Sequence, residues 1–240
     1  MTPNMSPQSA LHNFYRWVAR SDIVTTGAVL LRNQLDHVVR YHFSNSFKTC
    51  EQAEALLLQT VGVHVKRFID VGANVGRFAG ELLRVSPNVQ SGLLIDPSKS
   101  AVQALREKFG SDTRLEIVEA ACGDAAGEAV FHEEPNAGET STLVTGAVRG
   151  ACEARRVRVV TIDDEIASRG WPEVELVKID AEGYDLHVLR GMRNLLQRQA
   201  VHVVQFEYNS SWKPAGSSLS NALSLLEPCG YRVMHLSQNG

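Results

Sequence analysis

The sequence predicts a doubly wound α/β fold with a mostly parallel sheet, on three observations. From Arg67 onward, short apolar runs such as "RFIDV", "GLLID" and "VELVKID" alternate with stretches whose apolar residues recur at helical spacing. The runs are continuous rather than alternately polar, as expected of strands covered by helices on both faces. The first run leads through "DVGANVG" into a helical pattern, so a glycine turn joins the first strand to the first helix.

Residues 1–65 read as an N-terminal helical extension, poor in glycine, with helices expected at roughly 8–20, 27–42 and 47–61. In the third, "SFKTCEQAEALLLQTVG" offers a hydroxyl cap, a helix-forming run and a terminal glycine. The first sets Phe14, Tyr15, Trp17 and Val18 beside Arg16 and Arg20. That pattern suits a membrane surface, but more ordinarily packs on its own domain or a partner subunit, and it is the basis for expecting a homo-oligomer through these helices.

Residues 66–240 are expected to form one α/β domain that carries the ligand site. Strands are expected at "RFIDV", "GLLID", "LEIVEA", "VELVKID", "AVHVVQFEY" and "YRVMHL", and helices at Gly76–Val85, Ser98–Phe109, Tyr184–Leu196 and Ser217–Leu226. At about 125–164, "EAVFHEE", "STLVTG" and "RRVRVVTID" suggest a strand-rich insertion. It either faces the substrate or extends an edge of the sheet. At the end, "GYRVMHLSQNG" runs a strand into Asn239-Gly240, a typical hairpin dipeptide. The final antiparallel strand is therefore expected to be absent, through a shortened sheet or a shortened chain.

With 44% hydrophobic and 21% charged residues in 240, the chain can bury a sizeable core. Its net charge of -3 gives no global positive field for nucleic acid. Arg149, Arg155, Arg156 and Arg158 could meet a phosphate-bearing substrate, but a solvated strand face explains them as well, and no aromatics interleave for base stacking. Cys50, Cys122, Cys152 and Cys229 form no CxxC pair, so neither a zinc site nor a disulfide framework is indicated. No signal-peptide core and no 18-residue apolar run occurs. The expectation is a cytoplasmic protein without a transmembrane segment.

In open α/β sheets, ligands bind at the carboxyl ends of the strands where strand order reverses. Gly72 and Gly76 let a ligand approach the backbone there, but Gly-Ala-Asn-Val-Gly is not the GxGxxG of a dinucleotide site. Asp70, just before the turn, would repel pyrophosphate and suits the ammonium and sulfonium of S-adenosylmethionine. Asp96, ending the second strand, can accept from both ribose hydroxyls, although NAD would want the same acid. In "EAACGDAAG", Asp124 can accept from the adenine amino group with Ala121 and Cys122 flanking the ring, or it simply forms a turn. The joint spacing of Asp70, Gly72, Gly76, Asp96 and Asp124 is more specific than any one of them.

"FIDVGANVGRFA", "LLIDPS", "AACGDAAGEAVFH", "TIDDEI", "LVKIDAEGYDLHVLRGM" and "VVQFEYN" resemble the successive motifs of the FkbM family of class I S-adenosylmethionine-dependent methyltransferases. The resemblance covers about residues 67–236 and is most specific at "KIDAEGYDLHVLRG". It implies a Rossmann-like fold and O-methylation of a neutral or weakly charged hydroxyl on a sugar, glycolipid or secondary metabolite. Asp70, Gly72, Asn74 and Gly76 would then hold the methionine part, Asp96 the ribose, and Asp124 with Cys122 the adenine. Two departures stand out: Asp96-Pro97 replaces the usual Glu-Pro, and the final strand is lacking.

The fourth and fifth strands end in "LVKIDAEGYD" and "FEYN", which brings Asp180, Glu182, Glu207 and Asn209 to the same cleft. Asp180, Glu207 and Asn209 could converge on one Mg²⁺ that lowers the acceptor's pKa, as resembles catechol-type O-methyltransferases. The same residues could instead hold the acceptor's hydroxyls, with Asp180 or Glu182 as base and Glu207 nearby. A structural reading pairs Lys178 with an acid and gives Glu182 to the first turn of the next helix. Lys178, alternating with Val177 and Ile179, is expected to point away from the cleft, His187 and His132 are weaker candidates as base, and Asp163 is expected to cap a helix. The leading expectation is an O-methyltransferase with a small-molecule acceptor. The alternatives are a non-catalytic S-adenosylmethionine-binding module and an NAD-dependent oxidoreductase.

Overall fold

The computed structural model describes residues 47–134, 141–147 and 152–234. The helices expected at 8–20 and 27–42, Arg149 and the chain from 235 onward lie outside these residues. The chain divides into two compact units, 1–54 with 236–240 and 55–235, and the second carries the sheet.

Helix α1 (Phe47–Val61) leads through a 3₁₀ turn at Gly62–His64 into β1 (Arg67–Val71). Then follow α2 (Arg77–Val85), β2 (Ser91–Asp96), α3 (Lys99–Phe109) and β3 (Leu115–Glu119). After the inserted strands come α4 (Ile162–Arg169), β7 (Val174–Ile179), α5 (Asp185–Arg190), α6 (Arg193–Gln197), β8 (Val201–Phe206) and α7 (Leu219–Leu226). The five-stranded sheet has the order β3-β2-β1-β7-β8, parallel throughout. Strand order reverses between β1 and β7, which opens a ligand crevice at their carboxyl ends.

The two-residue period of the strands sorts their side chains. Ile69, Val71, Leu93, Ile95, Val177 and Ile179 pack on one face with Leu186, Leu189 and Trp212. Phe68, Leu94 and Leu176 pack on the other with Phe78, Leu82, Leu105 and Phe109. Asp70, Asp96 and Lys178 fall on this second face, at the strand ends. Ser98, Thr161 and Ser218 cap α3, α4 and α7, each accepting from a backbone N–H three residues on.

The single helix expected over Tyr184–Leu196 is two, α5 and α6, broken at Gly191–Met192. Gly191 packs so closely on the carbonyl of Gly123 that a Cβ there would overlap it. Asp163 supplies the start of the second piece: its carboxylate accepts from Asn194 N at 2.9 Å and Leu195 N at 3.0 Å.

The insertion is not an edge extension of the main sheet. β4 (Ala121–Cys122), β5 (Gly127–Glu133) and β6 (Glu153–Val160) form a separate sheet of order β4-β6-β5, closed over Ala121, Phe131, Val157 and Val159. "STLVTG" contributes no strand but a single bridge between Thr142 and His132, followed by a 3₁₀ turn at Thr145–Ala147. The strand expected from Tyr231 is also not formed over residues 231–234. There the Tyr231 hydroxyl, rather than a backbone ladder, bonds β8 through Val201 O at 2.7 Å. No helix among the described residues is long and apolar enough to cross a membrane.

Candidate functional site

The turn after β1 is built from left-handed residues: Gly72 (φ 74), Asn74 (φ 47) and Gly76 (φ 70). Glycine is required at 72, because a Cβ would overlap the carbonyl oxygen of Asp180. Asparagine is among the few other residues that adopt this conformation. The turn is tied to the end of β2: Gly72 N and Ala73 N donate to Ile95 O at 2.9 and 3.2 Å, and Asn74 N donates to Asp96 Oδ2 at 2.8 Å. Ser98 N donates to the other Asp96 oxygen at 2.8 Å. Burial pushes the Asp96 pKa up to about 6, against the two backbone N–H groups that favour its charge; Glu133 adds to the rise and Lys178 opposes it.

Asp70 is fully buried, and its charge is met by this chain's own lysine. Lys178 Nζ lies 3.7 Å from Asp70 Oδ1 and 3.2 Å from Asp180 Oδ2, with the Phe78 ring centroid 5.5 Å away. Lys178 thus points into the crevice rather than away from it. Asp70 and Lys178 are paired in the β1–β7 register, and the period that buries Val177 and Ile179 on one face sends Lys178 to the other.

Carboxylate oxygens of Asp180, Glu182 and Glu207 lie within 4.8 Å of one another. Crowding by surrounding protein and the charge of Asp180 raise the Glu207 pKa above its ordinary value, although the residue as a whole is exposed. Asn209, expected among the metal ligands, stands beside this cluster: its amide nitrogen donates to Glu207 at 2.8 Å, and its oxygen accepts from Ser211 N at 2.9 Å. Glu182, at φ 47, is the third carboxylate of the cluster.

Sequence reading passed over Asp185, which ties these groups together. It is fully buried and accepts from Gly183 N at 3.2 Å and from Glu207 N at 3.3 Å, so one carboxyl joins the loop after β7 to the end of β8. Burial pushes its pKa up to about 7, with the Asp180 charge the next cause. The available signal was the second aspartate of "DAEGYD", two residues after a glycine whose N–H needs an acceptor.

Asp124 pairs with His187 at 3.2 Å, and the His187 ring stacks on Tyr184 at 4.1 Å between centroids. Asp124 lines an open depression of about 800 Å³ with Thr161, Arg190, Asn194 and Asn221; none of Asp70, Gly72, Asn74, Gly76 or Asp96 lines it. Cys122 is buried on β4, and burial, foremost, pushes its thiol pKa far up. It can serve as a wall but not as a nucleophile. His132 stays within the insertion, 3.2 Å from Thr145 Oγ1. Among the described residues, Arg155 and Arg156 part company: Arg155 turns inward to Glu133, while Arg156 meets Glu128 at the surface.

The model of the methyltransferase FkbM domain matches residues 70–233, from the buried acid of the turn to nearly the end of the described chain. A crystal structure of methyltransferase FkbM from Methylobacillus flagellatus KT is 18% identical with a TM-score of 0.40, over 56% of this chain and 30% of that one. The chain thus spans less than a third of that relative's length. No curated protein matches the chain.

Proposed function

The chain belongs to the FkbM methyltransferase family, whose model matches more than half of it, and from this premise we propose an S-adenosylmethionine-dependent O-methyltransferase acting on a sugar, glycolipid or secondary metabolite. The observation that carries this reading is the direct packing of Gly72 on Asp180, with Asp96 held to the same turn by Asn74 N. A carboxylate suited to ribose and a cluster suited to an acceptor hydroxyl thereby share one crevice.

The residues fit such a cofactor. Each Asp96 oxygen accepts one backbone N–H and keeps a further lone pair for a ribose hydroxyl. Gly72 leaves room beside the Asp180 carbonyl, and Gly76 lets the turn pack closely on Leu105 and Phe109. Asp70, neutralised by Lys178, supports the turn beneath the methionine part rather than acting as a lone anion. Asp124 is assigned to the adenine amino group, and Cys122 to the wall beside the ring. The cofactor supplies an electrophilic methyl group.

The chain's own task is to orient the acceptor hydroxyl and take its proton. Glu207, with its raised pKa, is the best-placed base, and Asp180 and Glu182 hold neighbouring hydroxyls. The mutual approach of these three carboxylates also favours a second reading in which they hold a divalent cation such as Mg²⁺. The free thiols of Cys122 and Cys229 suit a reducing cytoplasm.

The test is transfer of isotope-labelled methyl from S-adenosylmethionine to a panel of sugars, glycolipids and phenolic or alcoholic metabolites, with and without EDTA. A labelled methyl ether formed equally in EDTA supports the metal-free reading, and loss of turnover in EDTA supports the cation. Cofactor binding without transfer to any hydroxyl compound would favour a non-catalytic binding module.

A further inference from the structure

We propose that Glu133 and Arg155, paired on the inserted hairpin, are positioning residues that hold the Pro97–Ser98 backbone and so set the carboxylate of Asp96 toward the cofactor. This rests on the reading of Asp96 as the ribose acid.

The contacts form one continuous chain. Arg155 Nε donates to Glu133 Oε2 at 2.6 Å, and Ser98 Oγ donates to Glu133 Oε1 at 2.6 Å. The Arg155 guanidinium also donates to the carbonyl oxygen of Pro97. Ser98 N then donates to Asp96 Oδ1, and Asn74 N closes the other side at Oδ2. Ser98 also accepts from Ala101 N, so the same residue fixes the start of α3.

The pair is itself held firmly. Phe131 and Arg155 are partners in the β5–β6 register, and the guanidinium lies 5.7 Å from the Phe131 ring centroid in the hairpin core. The side chains of Glu133 and Arg155 are only 16% and 20% exposed, so their charge-assisted bonds are shielded from water. The two bonds from Ser98 and Arg155 also hold the Glu133 carboxyl below its usual range despite the opposing effect of burial. At the same end of the hairpin, where Thr142 bridges His132, Thr142 Oγ1 donates to Glu182 O at 2.8 Å. The insertion therefore touches both the Asp96 loop and the carboxylate cluster.

A role confined to anchoring the hairpin would change stability alone, whereas positioning of Asp96 changes cofactor affinity and its pH dependence. Ionised Glu133 disfavours ionisation of Asp96, while Lys178 favours it. In Glu133→Gln that opposition is removed and Arg155 is left uncompensated, so Asp96 ionises at lower pH. The test is titration of S-adenosylhomocysteine into the full chain from pH 5 to 8, for wild type, Glu133→Gln and Arg155→Lys. Expected at pH 8 is a roughly tenfold weaker affinity in both variants, the scale of one lost charge-assisted bond. The acidic midpoint of binding in Glu133→Gln should fall below that of wild type. Wild-type affinity and midpoint in both folded variants would overturn the proposal, and Arg155→Lys alone decides it if Glu133→Gln does not fold. Absence of binding by wild type would instead overturn the cofactor reading itself.

Discussion

Gly72 lies against the backbone carbonyl of Asp180 so closely that no side chain fits between them. The contact joins the turn after β1 to the loop after β7 across the point where strand order reverses. It makes the glycine a spacer between two halves of one crevice.

Gly72→Ala should therefore damage both halves. A non-glycine residue at φ 74 costs on the order of 1 kcal/mol, and relieving the overlap with Asp180 adds about 1–3 kcal/mol of backbone displacement. Thermal unfolding should show a clear loss of stability, and S-adenosylhomocysteine binding should disappear in the fraction that remains folded. Wild-type binding by this variant would remove the turn from the site.

Asp96→Ala tests the ribose assignment. Hydrogen bonds to a charged acceptor contribute on the order of 1.5–3 kcal/mol each, so affinity for S-adenosylhomocysteine should fall at least roughly tenfold. The Asn74 and Ser98 amides lose their acceptor as well, so a modest drop in melting temperature should accompany it.

The buried acids predict the sign of the pH dependence of stability. Asp185 is raised to about 7 and Asp96 to about 6 in the folded chain, from an ordinary value of 3.8. Between these values the folded state holds more protons than the unfolded one, so their contribution to stability is fully present below pH 3.8 and is lost as pH rises through about 6 to 7. Asp185→Asn should flatten that decline in denaturant titrations. It should also lower stability near pH 5, because an amide cannot accept from both Gly183 N and Glu207 N.

Glu207→Gln separates stability from chemistry. Removing one of three crowded carboxylates relieves repulsion by Asp180, so melting temperature at pH 8 should rise. Methyl transfer to an identified acceptor should fall about 100- to 10,000-fold, the range of a positioned base. Unchanged turnover would move the base to another residue.

Much of this architecture was legible because strand burial and turn chemistry are local. The runs around Ile69, Leu94 and Val177 announced covered parallel strands, and "DVGANVG" announced the turn. The direction of Lys178 was not legible: its neighbours are apolar, but only the register of β7 against β1 shows that Asp70 awaits it on the shared face. Asp185 was hidden because a buried acid looks the same in a sequence as a solvated one. The partnership of Glu133 and Arg155 with Ser98 depends on how an inserted hairpin folds back across more than thirty residues of sequence, which no local pattern encodes. The break at Gly191 arose likewise from a distant carbonyl, that of Gly123.

The most direct test of the central claim is calorimetric titration of S-adenosylhomocysteine into the purified wild-type chain, with NADH as the competing ligand. The account predicts saturable binding at one site that NADH does not displace. No saturable heat with S-adenosylhomocysteine, or displacement of it by NADH at comparable concentration, would contradict the account.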